Sequence, residues 1–268
     1  MALAQVGDIQ LDYERTGAGE PLLMIMGMSG TALHWGEPFL APLREGLELI
    51  TYDHRGVGAS SRLEGPLTIE LMAQDAAGLL DALGIASAHV LGISMGGMIA
   101  QDLALSRPDL VRTLTIGCSY CGGHGSALPG PEVMGRLSEA MLSGDRQKAL
   151  RAGWEANISP AMRDDAEMYE RFLAIAEERA VAVPVVMAQI QAAGAHDTST
   201  RLGELEMPTL VIHGTEDEML PVQNGRLIAS LIPGSRLEIL DPVGHLFFWE
   251  RPDQSAELVS SHALAQGV

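Results

Sequence analysis

Gly92-Ile93-Ser94-Met95-Gly96-Gly97 follows the apolar run His89 to Gly92 and leads straight into Met95 to Ser106, which reads as a helix closing before Pro108. A serine at a strand-to-helix junction sits on a tight, strained turn that lifts its hydroxyl out of the sheet, and flanking glycines allow the backbones to pack closely. The helix start also points unpaired N–H groups and a partial positive charge at whatever lies there. The spacing alone is a weak signal, because glycine and serine are common in turns. The flanking strand and helix distinguish Ser94 from an ordinary turn serine and mark it as a candidate nucleophile.

Outward from this turn, strand-like and helix-like runs alternate. Ile9 to Arg15 alternates apolar and polar residues, the pattern of a half-buried strand. Leu22 to Met26 is continuously apolar and ends at Gly27, as in a strand covered on both faces. Leu47 to Tyr52 repeats that pattern and is followed by Asp53-His54-Arg55-Gly56-Val57-Gly58-Ala59-Ser60. Thr68 to Leu83 carries Ile69, Met72, Ala76, Leu79, Leu80 and Leu83 on one helical face, with Gly84 as the stop. Thr113 to Gly117 is a further strand. Such alternation implies right-handed crossovers and a mostly parallel, doubly wound α/β sheet.

The alternation stops between Gly122 and Glu206, where only helical patterns appear, around Val133 to Leu142, Ala166 to Arg179 and Pro184 to Ala193. It resumes with strands at Thr209 to His213 and Arg236 to Leu240 and helices at Gln223 to Leu231 and Pro252 to Leu264. The expected organisation is therefore a core of residues 1–121 and 207–268 with an inserted helical cap at 122–206. A free-standing helical domain fits less well, because the strands on either side need each other.

Composition narrows the function classes. With 47% hydrophobic and 19% charged residues, the 268-residue chain can fill a sizeable core, which excludes disorder. A formal charge of −18 disfavours nucleic acid and anionic membrane surfaces as partners and otherwise reflects solubility. No basic, apolar leader or long apolar run is visible, so a cytoplasmic protein is expected. Cys118 and Cys121 are too few for a four-cysteine zinc site. They follow a strand rather than opening a helix, so neither a metal nor a redox role is assigned, and no cofactor is expected.

A neutral hydroxyl needs a base, and near neutral pH that base is usually histidine. Of eight histidines, His245 lies in Asp241-Pro242-Val243-Gly244-His245-Leu246, a loop between the last strand and last helix, on the rim where parallel sheets assemble their sites. His89, His262, His54 and His213 have structural explanations in strands, a helix and turns. His34, His124 and His196 could face the pocket but show no evident partner. The base in turn needs a carboxylate to hold its tautomer. Glu216, Asp217 and Glu218 follow the Thr209 to His213 strand, and spacing does not choose among them; all three also read as surface charges on a turn.

At this point the chain resembles the α/β-hydrolase superfamily over nearly its whole length outside the cap. Gly214, Asp217 and Pro221 match the family's G-x-x-D-x-x-x-P, so the resemblance implies Asp217 as the acid. Gly244, His245, Glu250 and Pro252 match G-H-x-x-x-x-E-x-P. Asp53, Arg55, Gly56, Gly58 and Ser60 match a D-x-R-G-x-G-x-S turn that is usually structural. The order Ser94, Asp217, His245 is also the family's. By the same resemblance the backbone N–H groups of Met28 and Met95 form an oxyanion hole. One departure stands out: where the family commonly has His-Gly after its third strand, this chain has Met26-Gly27, which alters the side chain that shapes the loop.

The reading implied is a serine hydrolase cleaving a small-molecule ester or lactone through an acyl-enzyme, with a cap resembling those of small carboxylesterases and enol-lactonases. Met26, Met28 and Met95 are expected to give an apolar pocket, with Met24 and Met98 read as core packing; Trp35 and Phe39 face an undetermined direction. A cofactor-free perhydrolase and a carbon–carbon bond hydrolase use the same three residues. A serine at 94 argues against haloalkane dehalogenation, which needs a carboxylate there. A non-catalytic small-molecule receptor is the alternative from another class, and self-association is left open.

Overall fold

Strands whose successive side chains are buried on opposite faces build the molecule. In the computed structural model, which describes residues 2–265, eight strands form one sheet: β1 Ala2–Val6, β2 Ile9–Gly17, β3 Glu20–Ile25, β4 Leu47–Tyr52, β5 Ala88–Ile93, β6 Val111–Gly117, β7 Thr209–Gly214 and β8 Arg236–Leu240. Their order across the sheet is β1-β2-β4-β3-β5-β6-β7-β8. The β1–β2 and β2–β4 pairs are antiparallel and every other pair is parallel. The mostly parallel α/β sheet expected from the alternation is the fold observed.

The helices are α1 Glu37–Leu43, α2 Ile69–Ala82, α3 Met95–Ser106, α4 Pro131–Leu142, α5 Arg146–Asn157, α6 Ala166–Glu178, α7 Val183–Ala195, α8 Gln223–Leu231, α9 Phe247–Glu250 and α10 Pro252–Leu264. They divide the apolar residues into two cores, one per sheet face. Leu23 and Ile25 of β3 join α2, α3 and α8 on one side. Leu22 and Met24, their immediate neighbours, join α1 and α10 on the other. This is why β3 reads as an uninterrupted apolar run. Four helices, α4 to α7, lie between β6 and β7 in the chain.

Several elements were not apparent in the sequence. β1 pairs with β2 in register from Ala2 opposite Tyr13 to Val6 opposite Ile9, a hairpin turning at Gly7-Asp8. As an edge strand it buries only Ala4 and Val6, which leaves little pattern to read. Helix α5 buries only Trp154 and Ala156, so its apolar periodicity is faint. Its visible signal is Asp145, whose carboxylate accepts from the Gln147 and Lys148 N–H groups as an N-cap. No helix among the described residues is long and apolar enough to cross a membrane.

Candidate active site

Ser94 is the single residue between β5 and α3, with φ 55° and ψ −123°. For a non-glycine residue this conformation costs on the order of 1–3 kcal/mol, and it persists only where the surroundings over-determine it. Here they do. The Ser94 N–H donates to the Gly117 carbonyl at 2.9 Å, and its carbonyl accepts from Gly97 N–H at 3.0 Å and from the Ser119 hydroxyl at 2.7 Å. A Cβ on Gly92 would stand 2.2 Å from the Gly96 carbonyl oxygen, and one on Gly96 would stand 2.0 Å from that of Ile25. Both glycines are thus required by close backbone approach. Among the described residues no protein group accepts from the Met95 N–H, the first of α3.

The loops after β7 and β8 bring Asp217 and His245 together. His245 Nδ1 lies 2.7 Å from Asp217 Oδ2, with both side chains almost wholly buried. The other carboxylate oxygen accepts from the Leu220 N–H at 2.8 Å, and His213 Nε2 stands 3.2 Å from Oδ2. Burial opposes ionisation of Asp217, but the charge of His245 and the hydrogen bonds from His213 and His245 outweigh it. The carboxyl is held well below the usual range. An ionised Asp217 is an acceptor only, so His245 Nδ1 donates to it and Nε2 is the ring nitrogen this pairing leaves uncommitted.

The three neighbouring acids have separate fates. Glu218 leaves the site entirely, pairing with Arg136 at 2.6 Å and Arg163 at 2.8 Å. Glu216 directs a buried oxygen to no partner among the described residues. Only Asp217 meets a histidine.

Ser94 and His245 line the same cavity of about 730 Å³. Met26, Met28, Met95 and Met98 line it too, whereas Met24 is buried in the core beneath the sheet. Met98 therefore faces the cavity as well as packing in the core. Helices α4 and α7 contribute Met134, Met141, Met187 and Ile190. Trp35 and Phe39 do not reach this cavity. They pack with Phe248, ring centroids 5.2 to 5.9 Å apart, and border a separate pocket of about 250 Å³.

The loop bearing Met28 is held by His54, one of the histidines to which the sequence assigns a structural place. His54 Nε2 lies 2.8 Å from the Met26 carbonyl, which can only accept, so the imidazole donates. Burial pushes the His54 pKa below its ordinary value and keeps the ring neutral. His54 sits in the turn after β4, and the adjacent Asp53 accepts from the Ala32 N–H at 2.7 Å and from Arg179 at 2.8 Å. Arg55 pairs with Asp75. The turn is structural, as expected, and it braces the loop that the departure at Met26 alters. The Met28 N–H has no protein acceptor among the described residues.

The loop after β8 is tied to the inserted helices by Glu250. Its carboxylate accepts from the N–H groups of Gly244 at 2.8 Å and Ser159 at 2.9 Å, and from the Ser159 hydroxyl at 2.6 Å. His34 and His196, for which the sequence showed no partner, have them: His34 Nδ1 accepts from the Thr31 N–H at 3.0 Å, and His196 Nε2 lies 3.3 Å from the Thr198 hydroxyl.

Cys118 Sγ, a carboxylate oxygen of Asp217 and a ring nitrogen of His245 fall within 4.8 Å of one another, a spacing that would suit a metal. The donor set suits it poorly. Burial and the Asp217 charge push the Cys118 thiol far up, whereas a metal needs the thiolate, and His245 Nδ1 is already committed to Asp217. Cys118 and Cys121 are both buried and unbridged.

Comparison with known proteins agrees with the fold. The model of the "Alpha/beta hydrolase family" matches residues 22–258. The Azorhizobium caulinodans protein named "Putative carbamate hydrolase RutD" is 33% identical over 268 residues, covering 97% of each chain. A hydrolase from Pseudomonas aeruginosa superposes with a TM-score of 0.84 at 30% identity, covering 100% of this chain and 98% of that one. The enol-lactonase from Burkholderia xenovorans does so with a TM-score of 0.84 at 26% identity, covering 97% and 99%.

Proposed function

We propose, on the premise that this chain belongs to the alpha/beta hydrolase family, that it is a serine hydrolase cleaving carboxylic esters or lactones of small molecules through an acyl-enzyme. The observation that carries this reading is a serine on a strained turn sharing one cavity with a histidine whose far nitrogen is bonded to a buried carboxylate.

In this mechanism His245 Nε2 takes the Ser94 hydroxyl proton as Oγ attacks the ester carbonyl. Charge develops on the carbonyl oxygen, and the free N–H groups of Met28 and Met95 stabilise it; each such donor is worth roughly 10²–10³ in rate. The imidazolium, steadied by Asp217, protonates the departing alkoxide. Water, deprotonated by the same nitrogen, then releases the acid and restores Ser94. No step calls for a cofactor.

Residues 122–206 serve as the cap over this cavity. The methionines they add to the wall are pliable and apolar, which favours an acyl or alcohol group of hydrocarbon character over a sugar or peptide.

Treatment with a fluorophosphonate, followed by mass spectrometry, tests the chemistry. An adduct on Ser94 that fails to form in unfolded protein is expected; a folded protein left unlabelled would instead support a binding role. Turnover of p-nitrophenyl esters of graded acyl length, beside a lactone and a peracid assay, then assigns the acyl acceptor and the substrate size.

A further inference from the structure

Gln189 lies in α7, one of the four helices between β6 and β7, and its side chain is fully buried. It does not border the Ser94 cavity, although its neighbours Met187 and Ile190 do. Its Oε1 instead accepts from the backbone N–H of Ser29 at 2.9 Å, a contact between residues far apart in the chain. Ser29 follows Met28 and has φ 55°, a left-handed conformation that costs a non-glycine residue roughly 1–2 kcal/mol. The segment that presents the Met28 N–H is therefore not in its intrinsically preferred shape.

Two contacts hold that segment from opposite sides. His54 donates to the carbonyl of Met26 before it, and Gln189 accepts from the N–H of Ser29 after it. The amide has no freedom to turn over, because a flip would set Nε2 against the Ser29 N–H, donor to donor. In this orientation Nε2 is buried with no partner among the described residues. A buried, unpaired donor costs on the order of 1–3 kcal/mol. Gln189 thus satisfies the Ser29 N–H while leaving a buried donor of its own unpaired.

We infer that Gln189 is a positioning residue for the oxyanion hole: from the inserted helices it fixes the Met28 N–H at the oxygen where charge develops. This inference rests on the serine-hydrolase reading and adds to it a link between the inserted helices and the rate of acyl transfer. In a chain without the family's usual histidine at position 26, the support comes from His54 on the core side and Gln189 on the other.

The test compares the full-length protein with Gln189→Met and Gln189→Glu, the latter retaining a carbonyl-type acceptor. Three quantities are read: kcat and KM on a p-nitrophenyl ester, the Ki of a trifluoromethyl ketone that forms a tetrahedral adduct, and the melting temperature. For Gln189→Met, kcat is expected to fall about 10- to 100-fold, the scale set by misplacing one donor. The ketone Ki should rise in parallel, while KM and the melting temperature barely move. Gln189→Glu should recover most of the loss.

A merely structural role would lower the melting temperature without a matched change in kcat and ketone affinity, and that result overturns the inference. So does a Gln189→Met protein equal to wild type in kcat and Ki. Where wild type itself forms no ketone adduct at Ser94, the serine-hydrolase reading fails and this inference falls with it, an outcome distinct from wild-type capture followed by an indifferent variant. If Gln189→Met does not fold, faster hydrogen exchange across residues 26–32 in Gln189→Glu than in wild type overturns the inference, because the retained acceptor should protect the Ser29 amide.

Discussion

The two walls of the cavity are built on opposite plans. On the sheet side, Ser94, Asp217 and His245 leave the ends of β5, β7 and β8, and every polar partner that orients them is buried and hydrogen-bonded. On the other side, α4 buries only Val133 and α6 buries no residue at all. Met134, Met141 and Met187 are about half exposed while also lining the cavity, and Leu142 in α4 is 87% exposed. The inserted helices meet the core through buried apolar residues, Trp154 and Ile158 on one face and Ala192 and Ala193 on the other, and through polar pins, Arg179 to Asp53, Arg136 and Arg163 to Glu218, and Ser159 to Glu250. Two-sided burial gives the sheet rim geometric precision, because close-packed interiors have few alternative arrangements. A half-exposed methionine wall instead adapts to shape. Under the proposed function the contrast puts chemistry on one wall and substrate choice on the other, with Gln189 among the contacts between them.

The sharpest way to break this division is at the sheet rim. Ser94→Ala should reduce ester turnover by about 10⁴-fold or more in initial-rate assays, while thermal unfolding shows little change because the hydroxyl supports no packing. Asp217→Asn should cost about 10⁴ in kcat by the precedent of other serine hydrolases. Glu218→Gln, which touches only the arginine pins, should leave kcat within a few-fold, roughly the scale of a surface ion pair. Comparable losses in these two variants would mean that the acid has been misassigned.

On the adaptable wall, Met187→Ala should alter the ratio of kcat/KM between long and short acyl esters by up to about tenfold, the range for a change of one or two methylenes in an apolar pocket. Stability should stay within about 0.5 kcal/mol of wild type by denaturant unfolding. A uniform loss on all esters would show that this wall positions the chemistry directly.

The smallest effect concerns pH. Burial lowers the His54 pKa in the folded protein below its ordinary 6.5. As pH falls through that ordinary value the unfolded chain takes up a proton that the folded chain refuses, so stability declines on acidification until the folded pKa is reached. His54→Gln keeps a donor for the Met26 carbonyl and cannot titrate. The drop in urea midpoint between pH 7 and pH 5 should therefore shrink, though not vanish, because His34, His89 and His262 are shifted in the same direction by burial.

Much of this architecture is legible in the chain because local patterns report burial. Continuous apolar runs at Leu22 and Leu47 mark strands covered on both faces, and Gly92 to Gly97 marks a turn that only glycines permit. Helix α5 and strand β1 are not legible there because each buries too few side chains to leave a period.

By itself, then, the order of residues determined the layered α/β sheet, the candidates Ser94 and His245, and a trio of acids at 216–218 among which the family resemblance points to Asp217, since strand alternation, tight turns and loop positions are properties of neighbouring residues. Only the tertiary structure decided which of three adjacent acids meets His245, that His54 and Gln189 grip the two sides of the Met28 loop, and that Trp35 and Phe39 face away. These are contacts between residues distant in the chain, and their distances depend on how whole elements pack, which no local pattern encodes.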